Sequence, residues 1–227
     1  MAEKLLVVDT STPCCGIALG DGARLVGELQ LDSGAQHAVQ LVEGIDLLLR
    51  RVGWKMQDIE VMAAVAGPGS FTGLRVGLAT VKGLAMACSR PVVGVSSLKT
   101  LAAQLPFCRW PVCALLDARK REVYAGRFDC SGEFPEALTP ETVLSSERLE
   151  ILEDTVFIGT GAVVYREVLE RKGQTKAHFA PESLTSVRTV LAAELALRDY
   201  RAGRWVSPER LMPVYIRPSE AELARGA

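Results

Sequence analysis

The sequence has 227 residues, 48% of them hydrophobic and 23% charged, with a formal net charge of −1. That length supports one large domain or two small ones and excludes a short disulfide scaffold. The charge is evenly spread: residues 1–100 carry nine Lys/Arg against nine Asp/Glu, and the rest carry seventeen against eighteen, so neither half advertises an autonomous nucleic-acid binder. A local basic patch can still hide inside that balance.

In chain order, apolar runs punctuated by Gly and Pro predict strands at 5–9, 15–19 and 24–31, joined by turns at 10–13 and at Asp21-Gly22. Val39, Val42, Ile45, Leu48, Leu49 and Val52 then fall at helical spacing, predicting an amphipathic helix over 37–52 that Gly53 ends. A buried strand at 61–65 leads into Gly67-Pro68-Gly69-Ser70-Phe71-Thr72-Gly73, followed by a helix over 73–88, a strand at 91–95 and a helix opened by Ser96 or Ser97. The pattern breaks at 104–111, which divides the chain into a domain over 1–105 and another over 106–227.

Beyond the break come strands at 112–117 and 123–128 around a polar turn, and a Gly- and Pro-bearing stretch through Pro140. A helix near 145–150, a strand at 155–159, a helix at 162–172 and a helix at 186–202 follow, with a tail through Tyr215. The last helix and tail are candidates to pack back on the first domain. Each half has a strand ending in Asp (Asp9, Asp117), a second strand across a turn, and later a strand ending in Gly-x-Gly before a helix (Gly67/Gly69, Gly159/Gly161). One element order used twice describes an α/β, two-lobed actin-like ATPase (ASKHA) fold with duplicated βββαβα-type lobes, whose hairpin turns face phosphates across a cleft.

The six cysteines (Cys14, Cys15, Cys88, Cys108, Cys113, Cys130) contain no C-x-x-C pair, and with only His37 and His178 beside them they assemble no zinc spacing. They read as reduced, small apolar residues. Residues 5–8 are too short a run for a signal-peptide core, and no stretch reaches about 18 apolar residues, so the chain reads as a soluble, cytoplasmic protein without membrane contact.

The loop at 67–73 follows a strand and opens a helix, so its backbone N–H groups and the helix dipole suit an anion. With Asp9, Thr10 and Ser11, the residues Gly67, Gly69 and Ser70 form a candidate nucleotide-phosphate site. Its spacing is neither a Walker A loop nor the dinucleotide fingerprint, and Pro68 removes a donor, so a tight turn capped by Ser70 or Thr72 is the competing reading. Asp9 and Asp117 could each orient a metal-bound water or simply close a turn.

Helix 73–88 carries Gly77 and Gly83 in its interior, each costing roughly 1 kcal/mol against Ala. Ala79, Gly83 and Ala87 recur every fourth residue, apart from a larger face of Leu74, Leu78, Val81, Ala85 and Cys88, so the helix has two packing partners, both internal or one from another subunit. Ser96-Ser97-Leu98-Lys99 matches S-x-x-K without its companion motifs, and no G-x-S-x-G exists. His37 and His178 lie far apart in sequence and read as surface residues. Arg119-Lys120-Arg121 reads either as a phosphate or RNA contact or as a solvated hairpin tip.

The strings Leu5-Leu-Val-Val-Asp-Thr-Ser-Thr12, Ala66-Gly-Pro-Gly-Ser-Phe-Thr-Gly-Leu-Arg-Val-Gly77, Val92-Val-Gly-Val-Ser-Ser-Leu98, Leu115-Leu-Asp-Ala-Arg119 and Pro213-Val-Tyr-Ile-Arg217 resemble the TsaB family, also called YeaZ, in order from residue 5 to about 217. The resemblance implies a non-catalytic scaffolding subunit in synthesis of N6-threonylcarbamoyladenosine at position 37 of tRNAs reading codons that begin with A. There TsaD transfers the threonylcarbamoyl group, this family binds TsaD, and the ATPase TsaE binds their complex. It also implies a homodimer when TsaD is absent, tRNA contact only within the complex, and no cofactor of this chain's own, with ATP or ADP a matter for the assembled complex.

The catalytic relative carries a His-x-x-x-His metal pair after a strand like 92–95; the matching positions here are Ser97 and Leu101, and leucine cannot ligate a metal. The family pairs through its two N-lobe helices, which makes Val39, Val42, Leu74, Gly77, Leu78, Ala79, Gly83 and Ala87 the expected partner interface. The competing functions are an autonomous nucleotide-binding ATPase or small kinase of the same fold and, last, a glycoprotease-like peptidase.

Overall fold

The computed structural model describes residues 3–32 and 37–217, with only the backbone of residues 37–39. It divides into two compact units: the chain up to Ser97 together with Val187–Val214, and Leu98–Ser186 together with the chain from Tyr215. The division thus falls at Ser97 and not at residue 105, and the last helix belongs to the first unit.

The first unit begins with the meander β1 (Lys4–Asp9), β2 (Cys14–Asp21) and β3 (Arg24–Asp32), followed by α1 (His37–Val52), β4 (Val61–Gly67), α2 (Phe71–Cys88) and β5 (Val92–Ser96); the short α3 (Ser97–Ala102) starts at the division. The sheet of this unit has the order β3-β2-β1-β4-β5. β1 is antiparallel to β2 and parallel to β4, which is parallel to β5. Burial on both faces explains why β1 and β4 read as unbroken apolar runs. One face meets α1 and α2: Leu6, Val8, Met62 and Ala64 pack with Leu41, Ile45 and Leu49 of α1 and Leu74, Leu78, Val81 and Ala85 of α2.

The second unit holds β6 (Val112–Asp117), β7 (Glu122–Asp129), β8 (Glu136–Ala137), β9 (Thr142–Ser145), β10 (Thr155–Ile158), α4 (Thr160–Val164), α5 (Arg166–Gly173) and β11 (Ala177–Phe179), after which α6 (Thr189–Arg201) returns to the first unit. α6 packs on β1, β2, β4 and β5. The second sheet has the order β11-β10-β6-β7-β8, with β9 also on β7. β6 is antiparallel to β7 and parallel to β10, which is parallel to β11.

The pairing plan of the first unit is therefore repeated. In both units a Gly-x-Gly follows the parallel partner of the first strand, after β4 and after β10: Gly67 and Gly159 have φ of +122° and +100°, a Cβ on Gly69 would meet the Ser11 carbonyl oxygen just past β1 at 2.2 Å, and one on Gly159 would meet the Leu115 carbonyl oxygen of β6 at 2.3 Å. Positive φ favours glycine at positions 67 and 159, and the close backbone leaves no room for a Cβ at positions 69 and 159.

Several expectations are corrected. The helix expected near 145–150 is the strand β9 and a 3-10 turn at Ser146–Arg148, because the segment pairs with β7 from Glu122 to Ala125. The stretch through Pro140 holds β8, and β11 lies between the helices expected at 162–172 and 186–202, where no element was expected. The helix expected over 162–172 is two helices broken at Tyr165, whose φ of −110° and ψ of 22° leave the α region and whose hydroxyl donates to Asp117 Oδ1 at 3.1 Å. α6 opens at Thr189, not residue 186.

Candidate functional site

Asp9 ends β1 and is 1% exposed. Its Oδ1 accepts from the Ser11 amide at 2.8 Å, folding residues 9–11 into an Asx turn. Burial pushes its carboxyl up to about 6, and the Ser11 amide opposes that rise. The turn is locked to the glycine loop: Ser70 N donates to the Ser11 carbonyl at 2.7 Å, and Thr10 Oγ1 donates to the Gly73 carbonyl at 2.7 Å. A Cβ on Gly73 would meet the Thr10 carbonyl oxygen at 2.0 Å, and one on Gly77 would meet Thr10 Oγ1 at 2.3 Å.

Ser70 caps α2, its Oγ accepting from Gly73 N at 3.2 Å while its carbonyl accepts from Leu74 N at 2.8 Å. The amides of Ser11, Ser70, Gly73 and Leu74, which a phosphate cradle would use, thus have partners within the chain. Gly69 and Gly73 of this loop admit the backbone of Ser11 and Thr10, and Gly67 admits that of Val214.

α2 presents two faces. Leu74, Gly77 and Leu78 are buried in the chain's own core, so that part of the expected partner interface is corrected: these residues hold α2 on the sheet. The opposite face exposes Thr72, Arg75, Ala79, Gly83, Met86 and Ala87, with Met86 55% exposed. A Cβ on Gly83 would meet nothing within 4 Å. Gly77 therefore has an internal reason, Thr10, and Gly83 has none. The neighbouring helix α1 exposes Val42 and Leu47, at 58% and 41%. The side chain of Val39 lies outside the described residues.

At the position matching the relative's first metal ligand, Ser97 is fully buried and its hydroxyl donates to the Pro68 carbonyl. At the second, Leu101 is fully buried. Neither can serve the divalent-metal role, and no group of three or more His, Cys, Asp or Glu that could hold a metal occurs among the described residues. The residues present do not fit that metal.

His178, expected at the surface, is half-buried in β11, stacked on Trp110 with ring centroids 4.0 Å apart and with Nε2 2.7 Å from Asp154 Oδ1. The side chain of His37 lies outside the described residues. All six cysteines are thiols; burial pushes Cys15 up to about 11 and Cys113 and Cys130 up to about 12, the reverse of an activated nucleophile. No helix among the described residues is long and apolar enough to cross a membrane.

Asp117 receives hydrogen bonds from Tyr165 Oη and from the Arg119 amide. Arg217 donates to the Ala118 carbonyl at 2.8 Å and pairs with Glu122. Sequence reasoning missed these contacts because their partners lie up to a hundred residues apart, where no local pattern reports them.

Two α/β units that repeat one five-strand order, each with a hairpin turn beneath a Gly-x-Gly, define an actin-like ATPase fold. Over residues 32–224 the chain matches the family model described as TsaD: tRNA N6-adenosine threonylcarbamoyltransferase. It is 31% identical over 230 residues to the tRNA threonylcarbamoyladenosine biosynthesis protein TsaB of Haemophilus influenzae, covering 94% of this chain and 93% of that protein. It is 27% identical over 226 residues to the TsaB of Escherichia coli, covering 96% of each. The structure of YeaZ from Pseudomonas aeruginosa superposes with a TM-score of 0.83 at 30% identity, covering 94% of this chain and 99% of that one. The chain belongs to the TsaB family.

Proposed function

We propose that this chain is a non-catalytic subunit that binds the threonylcarbamoyl-transferring protein TsaD, and with it TsaE, for synthesis of N6-threonylcarbamoyladenosine in tRNA in the cytoplasm. The observation that carries this reading is Gly83: a helix-interior glycine on an outward face, beside Ala79 and Ala87, with open space where its side chain would be. A glycine there costs roughly 1 kcal/mol in the isolated chain, and the close approach of another helix is the physical gain that offsets it. The same face serves a second copy of the chain when TsaD is absent.

Ser97 and Leu101 support the non-catalytic part, since neither offers a metal ligand where the transferase has two histidines. A reconstitution tests the whole reading. The purified chain, TsaD and TsaE from one organism are combined with threonylcarbamoyl-AMP, ATP and unmodified tRNA. Modified adenosine should form only with this chain and TsaD together; formation by this chain alone would overturn the proposal.

A further inference from the structure

The β6–β7 hairpin tip is built in a way that its closure does not require. Arg119, Lys120 and Arg121 have φ of +62°, +54° and +62°, three successive residues in the left-handed region. Side chains with a Cβ pay roughly 1–2 kcal/mol each there, and turns that need this backbone ordinarily use Gly or Asn. Here three long cations occupy it, and all three are exposed.

The strained backbone is held from every side. Ala118 N donates to the Glu122 carbonyl at 3.0 Å and Glu122 N to the Arg119 carbonyl at 2.9 Å, closing the turn. Arg119 N donates to Asp117 Oδ1 at 3.0 Å, and Ser146 N donates to the Arg121 carbonyl at 3.2 Å. Arg217 grips the base through the Ala118 carbonyl and neutralises Glu122. Asp117 pairs only loosely with Arg119, at 3.8 Å, and takes a hydrogen bond from Tyr165. The tip thus sets three successive, exposed cationic residues on a rigid frame. No large apolar residue is exposed between Asp117 and Tyr124, so the tip lacks the anchor that a protein partner would bury.

We infer that this tip contacts the phosphate backbone of tRNA. The inference rests on the function proposed above, which places a tRNA beside this chain, and it adds the surface by which this chain touches it. Arginine pairs with phosphate through two N–H groups at once, and strain at a functional surface persists only where its surroundings hold it, as they do here.

The test is the triple variant Arg119→Asn/Lys120→Asn/Arg121→Asn, which removes the charge and keeps residues suited to positive φ. Fluorescence anisotropy of labelled, unmodified tRNA is measured against salt concentration with the reconstituted complex of this chain and TsaD. The variant should bind at least about tenfold more weakly, with the slope of log affinity against log salt reduced by about two, while Arg119→Lys/Arg121→Lys keeps the slope. Unchanged affinity and slope in an intact complex would overturn the inference. So would loss of TsaD binding by the variant, which would make the tip an acidic-protein contact. Should the wild-type chain fail to join TsaD, the proposed function falls, and the same titration with wild-type and variant chains alone decides the tip.

Discussion

Gly73 and Thr10, sixty-three residues apart in sequence, meet so closely that a Cβ on Gly73 would lie 2.0 Å from the Thr10 carbonyl oxygen. The same pair exchanges a hydrogen bond from Thr10 Oγ1 to the Gly73 carbonyl. Gly73→Ala must displace backbone, and a destabilisation of about 1–3 kcal/mol is expected in urea unfolding, as for an overpacked core. Thr10→Ala should cost about 1 kcal/mol through the lost hydrogen bond. A Gly73→Ala protein as stable as wild type would show that the loop has room for another occupant.

Gly83 gives the opposite result. With nothing near its missing Cβ, Gly83→Ala should raise the stability of the chain by about 0.5–1 kcal/mol. Gly83→Leu should leave the melting temperature within a few degrees of wild type while abolishing co-elution with TsaD on gel filtration. Full co-elution of the leucine variant would place the interface elsewhere.

The Asp9 carboxyl, raised by burial from 3.8 to about 6, binds its proton more tightly in the folded than in the unfolded chain. Its contribution to stability is therefore fully present below pH 3.8 and is lost as pH rises through about 6, by at most about 3 kcal/mol. Asp9→Asn keeps an oxygen for the Ser11 amide and has no such proton. The difference in unfolding free energy between wild type and variant should change across that window and be flat above it; parallel curves would show that burial does not raise the Asp9 carboxyl.

Gly16 of β2 faces the first residue of α6: an added Cβ would lie 1.9 Å from Thr189 Oγ1, a buried hydroxyl without a hydrogen-bond partner among the described residues. Gly16→Ala alone should destabilise by about 1–3 kcal/mol. Thr189→Ala should be near neutral, because it removes an unsatisfied buried oxygen. The double variant should recover most of the loss, giving a coupling of at least about 1 kcal/mol in a thermal double-mutant cycle. Strict additivity would mean that α6 shifts freely along the sheet.

What was legible locally was what local physics decides. The helical spacing of Ile45, Leu48, Leu49 and Val52, ended by Gly53 at φ +71°, places α1 at His37–Val52 as expected, and the run from Val112 to Asp117 is β6. The repeated Asp-ended strand and Gly-x-Gly disclosed the duplicated plan. The break at Tyr165 was not legible, because it is stabilised by Asp117 from another element. Nor was β9, whose partner is β7.

The apolar runs of β1, β4, β6 and β10, the helix faces that suit a core and the absence of histidines at positions 97 and 101 were determined by the sequence itself, because periodicity and side-chain chemistry act within a few residues. Which glycine admits a neighbouring backbone and which opens onto empty space was decided only in the folded chain. Gly77 and Gly83 are the same residue in the same helix; the difference between them is the presence of Thr10, and only tertiary packing brings Thr10 there.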